Sequence, residues 1–89
     1  MMSRKVFKYV IEVNDEVQEH EIPRTATEYH VGINPADESQ LAIWFMVHPD
    51  HAKITRKFFI RGTGQSVPDS AIYMGTVHSG IFMWHVFEA

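Results

Sequence analysis

The chain has 89 residues, no cysteine and a formal net charge of -3. That length makes one domain over residues 1–89, burying only about 60 to 65% of its unfolded surface, and the lack of cysteine excludes a disulfide staple or a thiolate metal site. The acidic balance argues against general nucleic-acid binding, which needs cations to neutralise phosphates. A small domain without staples gains burial by association, so a homo-oligomer, a dimer or higher, is expected.

The first residues include Arg4 and Lys5 but no apolar run ahead of a small-residue cleavage site, so no secretion signal is expected. Residues 5–13 place Phe7, Tyr9, Ile11 and Val13 on one side and Lys8 and Glu12 on the other, the two-residue period of a half-buried strand. Asn14, Asp15 and Glu16 form a polar turn, and residues 17–22 read as a charged edge strand ended by Pro23. Residues 28–33 align Tyr29, Val31 and Ile33, and residues 34–40 read as a polar loop.

Residues 41–48 form a strand that is apolar on both faces, with Leu41, Ile43, Phe45 and Val47 on one and Ala42, Trp44 and Met46 on the other. Its apolar run, residues 41–47, is far shorter than the ~20 residues of a membrane helix, so no membrane association is expected. Beyond a loop at residues 48–51, residues 56–61 alternate Phe58 and Ile60 with Lys57, Phe59 and Arg61. Residues 62–69 are a further loop. Residues 71–78 and 81–88 then form a hairpin around Ser79-Gly80. Seven short strands predict an all-β antiparallel barrel or sandwich ending in that hairpin. The alternative is an α+β fold with one short helix in residues 34–40 or 49–56. The two-faced apolar strands at 41–47 and 81–87 add to the expectation of a second subunit as cover.

The candidate ligand site is Arg61-Gly62-Thr63-Gly64-Gln65-Ser66, with Arg56 and Lys57 upstream. Glycines let backbone N–H groups converge, Thr63 and Ser66 supply hydroxyls, and the cations favour an anion. The ending of a P-loop is absent, and a self-satisfied connection is the plainer alternative. Phe58, Phe59, Tyr73, Phe82, Trp84 and Phe87 could stack on a ring in a pocket, although at least half of them must be core; Phe59, Trp84 and His85 are the site candidates among the C-terminal residues, although a hydrogen-bonded core histidine is the commoner fate of a residue such as His85. His48 and His51 could form half a metal site, but Pro49 disturbs their spacing; no metal and no cofactor is expected. No hydrolase motif assembles a nucleophile and a base, so an enzyme reading rests on free combination of common residues.

Phe59 to Pro68, Tyr73-Met74-Gly75-Thr76 and Trp84-His85-Val86-Phe87-Glu88 together resemble a family of small phage- and prophage-encoded proteins, a domain of unknown function. That resemblance implies a phage-derived accessory protein in the bacterial host cytoplasm. Such proteins commonly act by binding, so the leading expectation is sequestration of an anionic small molecule, such as a nucleotide signal of host defence. The alternatives are an inhibitor that binds a host protein surface, a structural phage protein or a small hydrolase.

Overall fold

The structure, a computed structural model, describes residues 3–89. Met1 and Met2, the start of the segment read for a secretion signal, lie outside the described residues. Seven strands follow in order: β1 (Lys5–Glu12), β2 (Gln18–Pro23), β3 (Thr27–Ile33), β4 (Gln40–Val47), β5 (Lys53–Gly62), β6 (Ile72–Ser79) and β7 (Phe82–Glu88). They build a three-stranded sheet ordered β1-β4-β3 and a four-stranded sheet ordered β2-β5-β7-β6, every pairing antiparallel. The described residues contain no helix, which removes the α+β alternative. With two separate sheets, each keeping two edge strands, the sandwich holds and the closed barrel does not.

Alternation fixes what lies between the sheets. Leu41, Ile43, Phe45 and Val47 of β4 face Phe58 and Ile60 of β5 and Val86 of β7, with Ile11 and Ile22 closing the layer, all essentially buried. Tyr9 meets Phe45 edge-on at 5.8 Å, and the Phe45 and Phe58 rings are 5.9 Å apart, distances at which aromatic quadrupoles attract.

One charged pair sits at the margin of this core. The Arg56 Nε and Nη2 groups each donate to a Glu88 carboxylate oxygen at 2.7 Å, Nη1 donates to the Ala26 carbonyl at 3.1 Å, and the guanidinium lies 4.8 Å from the Phe45 ring centre. Nearby, burial pushes the Glu28 carboxyl above its ordinary range; the Glu88 charge adds to the shift and His30 opposes it.

The second apolar face of β4 is partly covered within the chain. Ala42 is buried, the His30 ring packs on Trp44 at 5.4 Å, and Lys8 donates to Asn34, Asn34 to Gln40 and Gln40 to Glu12, at 2.8, 2.9 and 2.6 Å. Trp44 and Met46 on this face remain half-buried.

The sheets close on one side where the edge strands β3 and β6 meet. Each carries a register shift, between Glu28 and His30 and between Tyr73 and Gly75, a device that discourages pairing of exposed edges. A Cβ on Gly75 would lie 3.1 Å from that of Val31, so the absent side chain sets how closely the edges approach. The final hairpin is displaced by one residue from the sequence reading. Ser79 pairs with Phe82, and the connection is Gly80-Ile81. Gly80 has φ 60 and Ile81 does not have positive φ, as a type II′ turn requires.

Candidate functional site

The loop after β5 is shaped first by its own bonds. The Gly62 N–H donates to Gln65 Oε1 at 2.6 Å, and the Gln65 N–H returns to the Gly62 carbonyl at 3.2 Å. Gly64, with φ 91, provides the reversal that makes this possible. Arg61 ties the loop to its strand: Nε donates to the Ser66 carbonyl at 3.1 Å and Nη1 to the Ile60 carbonyl at 3.0 Å. The same guanidinium lies over the Phe59 ring at 4.5 Å, and Phe59 stacks on Phe87 at 5.4 Å. Phe59 is thereby only 2% exposed although it points away from the core. It packs the outer face instead of bordering an open pocket.

Parity along β5 separates the four cationic and aromatic candidates. Arg56 shares the inner face with Phe58 and Ile60 and is committed to Glu88. Lys57, Phe59 and Arg61 take the outer face. Lys57 is exposed.

A hydrogen-bonded chain crosses that outer face. Thr63 Oγ1 lies 2.9 Å from His85 Nε2, His85 Nδ1 lies 2.9 Å from Thr76 Oγ1, and Thr76 Oγ1 lies 2.6 Å from the Tyr73 hydroxyl. The pairings Arg61–His85, Thr76–His85 and Tyr73–Phe87 put these groups on one side of the sheet. Each of the three motifs singled out in the sequence contributes to this chain, so segments far apart in order meet in one network. Thr63 and His85 were candidates and Tyr73 was one of the six aromatics considered for a pocket; Thr76 was not, because only the ladder of β6 on β7 brings it and Tyr73 beside the imidazole.

Beside Thr63 a concavity of ≈ 390 Å³ is lined by Gly62, Thr63, Gln65, Ile81, Phe82, Met83 and Trp84. Phe82 and Trp84 stack at 5.1 Å with an interplanar angle of 16°. A second hollow of ≈ 170 Å³ adjoins it, sharing Gln65 and Trp84 and adding Val13, Asn14, Asp15 and Ile60. The hairpin tip forming one wall is unusually apolar for a turn: Ile81 is 92% exposed and Phe82 53%. Ile81 and Met83 were missed as site residues because the sequence reading placed them in a strand, and Phe82 was read only as one of six aromatics open to a core or a pocket role.

Of the expected set, Gly62, Thr63, Gln65 and Trp84 line the larger concavity, and His85 supports it through Thr63. Arg61, Gly64 and Ser66 shape the loop, while Arg56 and Phe59 are packing residues and Lys57 stands apart on the surface. His48 and His51 do come together, stacked at 4.6 Å, with Thr25 Oγ1 2.6 Å from His51 Nδ1. Among the described residues no third metal-binding side chain joins them. No helix of the described residues is long and apolar enough to cross a membrane.

Fold and site together define a small antiparallel β-sandwich with an aromatic-walled concavity at one end and a hydroxyl–imidazole chain at its rim. The chain belongs to the family described as Domain of unknown function (DUF7352), which matches residues 2–89. No curated protein and no solved structure matches it.

Proposed function

We propose that this protein is a binding module, not an enzyme, that holds an anionic ring compound such as a nucleotide in the concavity between the 62–66 loop and the β6–β7 hairpin. The observation that carries the reading is the ≈ 390 Å³ hollow walled by the Phe82–Trp84 stack. Its size falls within the ~300–1,000 Å³ typical of small-molecule sites, and exposed aromatic faces take planar rings of any identity. Thr63 and Gln65 supply polar contacts at its edge. Arg61 contributes positive potential more than a direct contact, since it is already bonded within its loop.

The resemblance of its three motifs to phage-encoded accessory proteins supports sequestration of a nucleotide signal of host defence in the bacterial cytoplasm. Intact-mass and ultraviolet-absorbance analysis of gently purified protein tests this. A stoichiometric nucleotide released on denaturation is expected; protein that is empty and also fails to bind added nucleotides contradicts it.

One observation favours a second reading, a phage inhibitor docked on a host protein. Ile81 is almost wholly exposed beside half-exposed Phe82, and such a tip can anchor in a partner's pocket. Ile81→Asp abolishing biological activity in a protein that binds no added nucleotide would decide for it. A homo-oligomer is also proposed. Its support lies in exposed Ile72, Tyr73, Ile81 and Phe82.

A further inference from the structure

The direction of the hydrogen bonds in the chain from Tyr73 to Thr63 follows from the chemistry of its members. A phenol is a better donor than an alkyl hydroxyl, because its conjugate base is stabilised by the ring, and a poorer acceptor for the same reason. Tyr73 therefore belongs at the donating head of the chain, giving its proton to Thr76 Oγ1 at 2.6 Å. Thr76 then donates its own proton to His85 Nδ1 at 2.9 Å. A neutral imidazole that accepts at Nδ1 carries its hydrogen on Nε2, which donates to Thr63 Oγ1 at 2.9 Å. With one lone pair of Thr63 so occupied, its hydroxyl proton is left to turn elsewhere, and Thr63 lines the concavity. Aligned bonds polarise one another, so the last hydroxyl is a stronger donor than an isolated threonine.

We propose that the chain Tyr73 to Thr76 to His85 to Thr63 makes the Thr63 hydroxyl a dedicated hydrogen-bond donor to an anionic oxygen, phosphate or carboxylate, of the ring compound held against Phe82 and Trp84. The inference rests on the ligand-binding reading of this concavity and deepens it by naming the contact that recognises charge. It also gives the half-buried imidazole a task. His85 is a positioning residue, fixing which way the Thr63 proton points, and Tyr73, outside the concavity lining, acts through it. The loop's backbone cannot take over this role at Gly62, whose N–H is spent on Gln65 Oε1.

Two measurements test the proposal. Long-range proton–nitrogen spectra of the ligand-free protein, labelled with nitrogen-15 in histidine, should report the Nε2–H tautomer for His85; the Nδ1–H tautomer overturns the chain's direction. Calorimetric titration with AMP and with adenosine, which lacks the phosphate, should then show AMP bound roughly 10- to 100-fold more tightly, the range for a hydrogen bond to a charged group. Thr63→Val should abolish that preference, so that AMP and adenosine bind alike, Thr63→Ser should restore it, and Tyr73→Phe should reduce it in part. If Thr63→Val keeps the full preference for AMP, or native protein binds both compounds equally, the donor assignment falls and the ring site stands. If neither compound binds, both readings fall together.

Discussion

Replacing Glu88 by alanine tests whether Arg56 is a structural cation rather than a ligand residue. The substitution removes two 2.7 Å hydrogen bonds and leaves a guanidinium whose remaining bond goes to the Ala26 carbonyl. Removing one partner of a fully buried pair costs about 3–5 kcal/mol. Each side chain here is 17% exposed, so water screens part of that loss, and about 2–3 kcal/mol is the expected cost. For a domain of this size each kcal/mol lowers Tm by roughly 4–8 °C, so a fall on the order of 10–20 °C should follow. Urea unfolding should show a lower midpoint with an unchanged slope. The double variant Arg56→Met with Glu88→Leu should recover most of the loss, because apolar replacement of both partners removes the desolvation cost along with the attraction. It should also bind AMP as the native protein does. A Glu88→Ala protein within about 0.5 kcal/mol of native, the range of an ordinary surface change, would refute the reasoning.

Gly75→Ala should destabilise by about 1–3 kcal/mol through overpacking, because its methyl would meet Val31 atoms at 3.1 and 3.2 Å, and Val31→Ala in the same protein should relieve much of it in thermal melts. Gly64→Ala should cost about 1–2 kcal/mol by urea titration, since φ 91 disfavours any side chain; Gly62→Ala should be tolerated, its methyl standing no closer than 3.4 Å to Gln65. Glu28→Gln should raise stability at neutral pH and change it little near pH 4. The raised carboxyl pKa of Glu28 means the folded state holds this proton more tightly than the unfolded state. That contribution is complete below the unfolded value and is lost as pH rises through the folded value. Melting curves at the two pH values read the difference directly.

The sandwich was legible because alternation was strong where burial was strong. Phe7, Tyr9 and Ile11 in β1 and Leu41 to Val47 in β4 declared their inner faces, and β5 did so through Phe58 and Ile60. The same parity placed Arg56 inward and Arg61 outward, so their different fates were also readable, although proximity in sequence suggested one basic cluster. The hairpin was read one residue early because Ile81 was assigned to a strand as an apolar residue, whereas it occupies the turn beside a left-handed glycine. The partial cover on the second face of β4 was not legible while only apolar residues were counted as cover. Polar side chains do that work here, through the Lys8–Asn34–Gln40–Glu12 network. Thr63 and His85 were visible as chemistry, yet their joining to Thr76 and Tyr73 depends on which strands are neighbours, and spacing along one chain does not encode strand order.

The central claim is that the hollow beside Thr63 takes a planar ring against Trp84, and the chain carries its own control, because its second tryptophan, Trp44, lies on the opposite sheet. The indole N–H signals of both residues can be followed in proton–nitrogen correlation spectra while AMP is added to millimolar concentration. The Trp84 signal should move saturably while the Trp44 signal stays in place, and Phe82→Ala should weaken the response. A Trp84 signal that does not move, or that moves only in step with Trp44, would contradict it.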